Sequence, residues 1–402
     1  CPPKFIAIVR QFHDGMTARV LEDGDLSEAF QVTNGVKQGC VLAQSLFSIM
    51  FLAMLHDTFK NDKPGLSLKY RVDGGLFRPR RLQAITRVKE TVISDFLFAD
   101  DCALNAKSEQ DMQFGMNLFA SACDNFGLTI STQKTEVMFQ PAPGGQCHEP
   151  QIEVHGQTLK VVDNFTYLGS TLSSNATLQM EICNRISKAS TAFGRLRGNV
   201  WERRGISLTT KLKVYQAAVL TTLLYGCETW TLYRKHERQI NRFHLKCLRS
   251  LLHIRWQDKV PDTEVLKKAD LPNATTFLHK AQLRWAGHIS RMPDNRIPKQ
   301  LLFGELNQGK RTVGGQKKRF RDSLKVSLKD FGINQGTWET LAADRPSWRC
   351  AVSKGAQTAE ENRTQAAESR RQTRKTRADS NSCTPQPIPA PPVGEASLPG
   401  SA

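Results

Sequence analysis

Two adjacent carboxylates lie between two short apolar runs in the stretch Ile93–Leu104, which reads ISDFLFADDCAL. Apolar residues on both sides of a pair that suits a turn predict a β-hairpin with Asp100 and Asp101 at its tip. Neighbouring negative charges repel unless a cation neutralises them, and Mg²⁺ takes oxygen ligands from one or two carboxylates. The apolar lead-in Phe96–Phe98 favours this metal site over the alternative, a solvated surface turn.

Turn residues and hydrophobic spacing predict the elements around this hairpin. Residues 5–12 should end a helix, residues 18–32 should form a hairpin that turns at Asp23-Gly24, and a helix should follow the loop at 35–39. Apolar residues at spacings of 4, 3, 4 and 3 then predict a helix over residues 109–126, with a buried face and a stop at Gly127. These residues are Met112, Met116, Phe119, Cys123 and Phe126.

Basic charge is concentrated in one block of the chain. The 402 residues carry a formal net charge of +18, and residues 184–329 alone contain 31 basic and 10 acidic residues. The block has two apolar helical stripes, Leu212, Tyr215, Val219 and Leu223, then Ile240, Phe243, Cys247, Leu248 and Leu251. Between them lie the cations Arg234, Lys235, Arg238, Arg242, Lys246 and Arg249. A polyanion partner is favoured, because neutralised phosphates release counterions; the alternative is a solvated basic face.

Several other features leave alternatives open. Trp230, Trp256 and Trp285 lie in amphipathic patterns, so core packing is favoured over stacking on nucleotides. The cluster Lys317–Arg321 suits a nuclear import signal or a phosphate patch. Ten cysteines without a Cys-x-x-Cys pair favour a reducing compartment, and no zinc site is predicted from them. The apolar run at residues 46–55 is too short for a membrane span.

Four motifs in order over residues 34–170 resemble the reverse transcriptases of LINE-type (non-LTR) retrotransposons. They are the template- and nucleotide-contacting loop Asn34–Cys40 with Leu46–Ser48 after it, the metal-binding motif Phe98–Asp101, the segment Phe126–Ile130 with Lys134–Glu136, and the primer-grip segment Phe165–Gly169. The resemblance extends to about residue 350 and includes Arg284–His288 and Arg291-Met292.

The resemblance implies an RNA-directed DNA polymerase with assigned residues. Asp100 and Asp101 would hold Mg²⁺, with Mn²⁺ as an alternative, and Lys134 would protonate the leaving pyrophosphate. A surface lysine before a strand is the alternative for Lys134. The template and nucleotide pocket would contain Lys37, Gln38 and Gly39. The primer grip would be formed by Tyr167, Leu168 and Gly169, for which a plain β-turn is the alternative.

Two departures from the family pattern affect this interpretation. The family takes an essential Asp from a strand upstream of the Asn34 motif, and Cys1 begins after that point. Asp14 precedes Gly15 and is interpreted as a turn residue, so we expect a fragment that lacks the upstream catalytic Asp. Relatives also place Pro within the segment Val41–Gln44, and its absence is expected to loosen the nucleotide-side wall.

These observations predict an α+β chain in four parts. Residues 1–175 would be a partial palm and fingers, an antiparallel sheet with packed helices; 176–256 a helical thumb; 257–350 a basic helical region; and 351–402 a disordered tail. The expected function is Mg²⁺-dependent nucleotidyl transfer, and the alternative is an inactive, basic nucleic-acid-binding remnant. Expected partners are an RNA template, a DNA primer and deoxynucleoside triphosphates, in the nucleus or cytoplasm, without a membrane, signal peptide or transmembrane segment.

Overall fold

The computed structural model describes residues 2–33, 35–36, 40–59, 64–78, 80–141, 148–308 and 316–382, with the side chains of 85 and 378–382 excepted. Two compact units account for these residues. The first lies within Cys1–Leu68, Thr91–Val137 and His148–Val161, and the second within Lys69–Glu90, Met138–Cys147 and Val162–Ala402. The domain boundaries expected after residues 175, 256 and 350 stay predictions, because they divide the chain by function and not by compactness.

Runs of short strands lie between helices in the first unit, as expected for an α+β class. Its elements, of which β5 and β6 run across the boundary between the units, are α1 (Pro3–His13), β1 (Thr17–Ala18), β2 (Leu21–Glu22), β3 (Asp25–Leu26), β4 (Phe30–Gln31), α2 (Val41–Thr58), β5 (Leu66–Tyr70), β6 (Lys89–Ile93), β7 (Asp95–Phe98), β8 (Asp101–Leu104), α3 (Glu109–Asn125), β9 (Glu136–Val137), β10 (Glu153–Val154), β11 (Gln157–Thr158) and β12 (Lys160–Val161).

Strand pairing in the first unit is mostly antiparallel. The predicted hairpin at 18–32 is confirmed: β2 pairs with β3 around Asp23 and Gly24, which both have positive φ, and β1 pairs with β4 outside them. The strands β10 and β11 form another antiparallel pair, whereas β9 and β12 are parallel. The predicted antiparallel structure is therefore present as several small sheets, and the pairs β1–β4, β2–β3, β7–β8 and β10–β11 are each a two-stranded sheet.

Packing between α2 and α3 supports the metal-site hairpin predicted from the sequence. The side chain of Ser108 caps α3 by accepting the Asp111 N–H at 3.1 Å, and Gly127 ends the helix with a φ of +66°. Met116, Phe119 and Cys123 are buried, which confirms the predicted helix and its apolar face. Met54 of α2 and Cys123 of α3 bring their sulfur atoms to 3.9 Å.

The second unit is mainly helical. Its elements are β13 (Asn164–Tyr167), β14 (Ser170–Ser173), α4 (Gln179–Arg195), α5 (Leu208–Val214), α6 (Thr221–Leu223), α7 (Arg234–Leu251), α8 (Asp262–Ala269), α9 (Ala274–Ser290), α10 (Ile297–Phe303), β15 (Gly304–Leu306), α11 (Phe320–Asp330), α12 (Trp338–Ala343) and α13 (Arg345–Ser382). A π-helical segment, Tyr215–Leu220, joins α5 to α6.

Two hydrophobic clusters form the interior of the second unit. One contains both apolar stripes predicted from the sequence, and their residues are buried except for the half-buried Phe243. The other cluster is built by α9, α11, α12 and α13, with Trp338 and Trp348 at its centre. The helical character predicted after residue 178 is therefore confirmed.

The expectation of a disordered tail is wrong for residues 351–382, which continue α13. Trp348, Val352, Ala356 and Ala359 form a stripe of buried side chains along this helix. Gly355 permits close approach, since an added Cβ would lie 2.6 Å from the carbonyl oxygen of Phe331. Because small residues line much of this helix face, the composition of the segment does not indicate that the face is buried. Residues 383–402 lie outside the described part of the chain.

The apolar run at residues 46–55 lies within α2, which is 18 residues long. By length and hydropathy alone, α2 meets the criteria for a membrane span, and it is the single described helix to do so. Core helices of globular proteins meet the same criteria, and Phe51 and Met54 of α2 are buried against α3. The helix is therefore weak support for a membrane span.

Candidate functional site

The Asp100-Asp101 pair lies at the tip of an antiparallel hairpin, as predicted. Strands β7 and β8 pair through Asp95↔Leu104, Phe96↔Ala103, Leu97↔Cys102 and Phe98↔Asp101, which leaves a two-residue turn at Ala99 and Asp100. Ala99 has a φ of +51°, a conformation that L-residues other than Asn and Asp seldom adopt. The turn therefore places both carboxylates at the end of the hairpin.

The two faces of this hairpin have different environments. Leu97, Cys102 and Leu104 pack against the α2–α3 cluster, which fixes one face. The opposite face carries Phe96 and Phe98, whose side chains are 38% and 62% exposed, together with Asp101. In the apolar lead-in to the acids, Leu97 therefore faces the core and is half-buried, whereas the rings of Phe96 and Phe98 are exposed.

The sheet that carries the two acids is small. In the described ranges β7 and β8 form a sheet of their own. An isolated two-stranded hairpin is marginally stable in water, so the packing of its inner face against α2 and α3 must stabilise it. The hairpin is held through its side chains and not through further strand pairing.

The donor chemistry of the tip fits a hard divalent cation. Asp100 and Asp101 are both exposed and adjacent, and one or two carboxylates with water and phosphate oxygens are the usual ligands of Mg²⁺. Among the described residues there is no group of three or more His, Cys, Asp or Glu side chains that could hold a metal. The pair therefore fits a single ion. Two ions would need a further carboxylate that bridges them, and none joins the pair in the described ranges.

The neighbouring thiol does not change this donor set. Burial, together with the charges of Cys123, Asp101, Asp100 and Asp95, raises the pKa of Cys102 to about 12. Cys102 is therefore a neutral thiol at pH 7, and its Sγ lies 3.7 Å from the carbonyl oxygen of Asp100. The tip presents oxygen ligands and no thiolate.

The other predicted site residues of the first unit are described in part. Lys134 is exposed in a turn that precedes β9, and its backbone N–H donates to the Ser131 carbonyl at 3.1 Å. This location suits both alternatives raised for Lys134. The residues Lys37, Gln38 and Gly39, predicted to contact template and nucleotide, lie outside the described residues.

Tyr167, Leu168 and Gly169, predicted as a primer grip, lie in a second hairpin. Strands β13 and β14 pair from Asn164↔Ser173 to Tyr167↔Ser170, so Leu168 and Gly169 form a two-residue turn. Both have positive φ, +49° and +76°, as a type I′ turn requires. The hairpin belongs to the second unit.

Side chains from elsewhere in the second unit hold both carbonyls of this turn. Arg185 of α4 donates from its guanidinium to the carbonyl of Gly169, and the Tyr225 hydroxyl donates to the carbonyl of Leu168 at 2.9 Å. Arg185 is ion-paired with Glu181 at 2.7 Å, both side chains are buried, and the guanidinium lies 4.5 Å from the Tyr225 ring centroid. Glu181 also accepts the Thr171 N–H at 2.7 Å.

Sequence reasoning missed this group of residues. Arg185 lies 16 residues beyond Gly169, outside the motif that carries the resemblance. The available signal was the pair Glu181 and Arg185 at helical i,i+4 spacing immediately after the hairpin, a spacing at which opposite charges meet.

The cations of α7 form a surface stripe. Lys235, Arg238, Arg242 and Lys246 are exposed at spacings of 3, 4 and 4 residues, and so share one helix face. Arg249 continues the stripe, donating to Asp262 Oδ1 at 2.7 Å and to the Val260 carbonyl at 2.9 Å. The opposite face of α7 is buried in the apolar cluster.

Trp230, Trp256 and Trp285, the tryptophans predicted to pack in the core, have different environments. Trp230 is buried, as predicted, and its carbonyl accepts the Gln282 amide at 2.8 Å. Trp285 is half-buried, with its ring 5.5 Å from that of His288. The prediction of core packing is wrong for Trp256, which is 83% exposed in the connection between α7 and α8.

Comparison with known proteins relates part of this chain to a known family. The family model for reverse transcriptase (RNA-dependent DNA polymerase) matches residues 1–172, a range that includes the Asp100-Asp101 hairpin and the predicted primer grip. Residues 1–172 are therefore similar to a reverse transcriptase domain of the kind found in LINE-type non-LTR elements. Within this range the similarity is to the reverse transcriptases of transposable elements.

Individual relatives support this assignment. An uncharacterised transposon-derived protein of Caenorhabditis elegans is 26% identical over 281 residues, which cover 66% of this chain and 97% of that protein. The RNA-directed DNA polymerases from mobile element jockey of Drosophila melanogaster and Drosophila funebris are each 24% identical over 270 residues, which cover 65% of this chain. The matched region is 26% of the length of each jockey polymerase.

Proposed function

We propose that this chain extends a DNA primer along an RNA template by Mg²⁺-dependent nucleotidyl transfer from deoxynucleoside triphosphates. The observation that carries the proposal is the exposed Asp100-Asp101 pair, held at the tip of a hairpin whose inner face is buried against α2 and α3. In this proposal residues 1–175 serve as palm and fingers and residues 176–256 as thumb. The protein acts inside the cell, in the nucleus or cytoplasm.

Each site residue has a role in this mechanism. Asp100 and Asp101 would hold Mg²⁺, or Mn²⁺ in its place, and a bound ion would neutralise triphosphate charge and favour ionisation of the attacking 3′-hydroxyl. Lys134 donates a proton to the leaving pyrophosphate, a role for which an exposed, mobile ammonium is suited. Lys37, Gln38 and Gly39 contact the template and the incoming nucleotide.

The second hairpin and the basic helix position the nucleic acid. Tyr167, Leu168 and Gly169 contact the primer terminus, and the support for this role is a turn whose two carbonyls are held by Arg185 and Tyr225. The α7 stripe contacts phosphates without reading bases, since its exposed groups are Lys and Arg side chains.

Primer extension tests the proposal directly. The Asp100→Asn variant should lose Mg²⁺-dependent extension by at least about 100-fold, because a catalytic metal supplies several kcal/mol of charge stabilisation. Binding to the primer–template should be retained. The matched control is Asp57→Asn, which removes the same charge from an exposed position at the end of α2. Extension that survives Asp100→Asn would exclude the proposed metal site.

The alternative function is an inactive protein that binds nucleic acid through its basic helices. It is favoured by the finding that no third carboxylate joins Asp100 and Asp101 in the described ranges. Under this alternative the unaltered chain shows no extension with Mg²⁺ or Mn²⁺, yet binds duplexes with steep salt dependence. Binding that is insensitive to salt would exclude it.

A further inference from the structure

The last part of α13 carries a dense run of cations. Residues 369–377 contain five basic and no acidic side chains, and Arg370, Arg371, Arg374 and Lys375 are all exposed. The helix continues for 23 residues beyond Ala359, its last buried apolar residue, which corresponds to roughly 35 Å. This segment buries little apolar surface, so stability of the core does not explain its composition.

Polar contacts fix the direction of this helix just before the basic run. Glu360 accepts the Asn273 N–H at 3.0 Å and the Thr276 hydroxyl at 2.6 Å. Arg363 donates to Asp330 and to Thr276. These contacts tie α13 to α9 and α11 about two to three turns before Arg371, so the basic segment has a defined position in the second unit.

The basic segment borders the start of α8. Arg371, Arg374 and Lys375 line an open cleft together with Pro261–Thr263. Asp262 of this cleft is ion-paired with Arg249, the last cation of the α7 stripe. The cations of α13 and the α7 stripe therefore meet at Asp262 and form one continuous basic surface.

The acids of the cleft do not cancel its charge. Glu368 and Asp262 line it, and Asp262 is already engaged by Arg249. The three α13 cations outnumber these acids, and Lys and Arg on adjoining helices suit the regularly spaced phosphates of a nucleic acid.

We infer that Arg371, Arg374 and Lys375 of α13 extend the α7 stripe into a single binding track for the sugar–phosphate backbone of a nucleic-acid duplex. The inference rests on the proposed nucleic-acid binding by α7 and adds a second contact surface to it. A duplex that follows the track would neutralise charges on both helices together. The α13 cations should therefore contribute to affinity and to its salt dependence.

A matched pair of triple variants in the full chain tests this inference. R371Q/R374Q/K375Q removes the cations of the cleft, and R345Q/R349Q/K354Q removes three exposed cations from the other end of the same helix. Glutamine is a good helix former, so circular dichroism should show α13 preserved in both. Binding is measured by fluorescence anisotropy at several salt concentrations, with duplex RNA, an RNA·DNA hybrid and duplex DNA as probes.

The cleft variant should bind about tenfold more weakly at moderate salt, and the slope of log affinity against log salt should fall by about 2 to 3. The control variant should bind like the unaltered chain. Equal losses on all three probes would identify the shared phosphate backbone as the ligand, and losses confined to probes with RNA would identify an A-form backbone. Equal affinities of the cleft and control variants would overturn the inference.

Two further measurements separate this inference from the proposed function. If R238Q/R242Q/K246Q on α7 weakens binding while the cleft variant does not, the track on α13 is excluded and the proposed function stands. If the unaltered chain shows no salt-dependent binding to any probe, nucleic-acid binding itself fails. Loss of binding to phosphatidylserine vesicles, with nucleic-acid binding unchanged, would assign the α13 cations to a membrane surface and overturn the inference.

Discussion

The hairpins β7–β8 and β13–β14 have the same number of paired positions and the same two-residue connection, but their tips are held differently. The first presents Asp100 and Asp101 to solvent, and the Asp100 carbonyl faces only a weak thiol donor, Cys102. The second has both turn carbonyls bound by Arg185 and Tyr225. The oxygens of the first tip are therefore open to solvent, whereas the second tip is held by the buried side chain of Arg185 and the exposed side chain of Tyr225.

Removing the ion pair behind the second hairpin should give the largest effect on this comparison. Arg185→Met leaves Glu181 buried without its partner and should lower the free energy of unfolding by about 3–5 kcal/mol. The control is Arg195→Met, an exposed cation on the same helix. Urea unfolding measures both variants. Equal stability of the two would show that the pair does not support the hairpin; partial recovery in Glu181→Gln/Arg185→Met would confirm that the unpaired carboxylate is the cause.

Acid should affect the unit of the second hairpin more than the other unit. His244 is buried between the Tyr215 hydroxyl at 2.8 Å and the Pro272 carbonyl at 3.2 Å, and burial lowers its pKa from 6.5 to about 4. None of the histidines described in the first unit is buried. His244 therefore binds a proton below pH 6.5 in the unfolded chain, but only below about pH 4 in the folded chain.

The sign of this effect follows from the lowered pKa. The free energy of unfolding is unaffected by His244 above pH 6.5. It falls by about 3 kcal/mol as the pH drops towards 4, and then levels off. Unfolding in urea at pH 7, 5.5 and 4.5 measures the loss, and His244→Gln should remove the part of it that is due to His244, because glutamine does not titrate. His236 is also buried with a pKa lowered to about 4, so part of the loss should remain in this variant. The same pH dependence in both proteins would contradict the assignment.

Exchanging small residues between the two turns should give the smallest effects, with opposite signs. Gly169→Ala places a Cβ on a residue with a φ of +76°, which costs about 1–2 kcal/mol of strain, although the nearest atom of Tyr225 leaves room at 3.9 Å. Ala99→Gly removes the same strain at +51° and should be neutral or stabilising by up to about 1 kcal/mol. Thermal unfolding measures both, and destabilisation by Ala99→Gly would show that the turn does not adopt this conformation.

Local patterns predicted much of the fold and of the candidate site. The acidic tip, the hairpin around Asp23-Gly24 and the buried face of α3 were predicted because turn residues and hydrophobic spacing act over a few neighbouring positions. The exposure of Trp256 was not predicted, since its amphipathic surroundings are equally compatible with burial. The order of α13 was missed because its buried face consists of small residues, and because its polar contacts at Glu360 and Arg363 involve partners up to 87 residues away.

The sequence by itself determined where the carboxylates lie, which helices have an apolar face and where basic charge is concentrated, because these properties depend on residues a few positions apart. The tertiary structure alone decided that Arg185 and Tyr225 hold the second turn and that the α7 stripe continues onto α13 through Arg249 and Asp262. Such contacts join helices and loops distant in sequence, and their geometry is defined only when the cores that position those elements have formed.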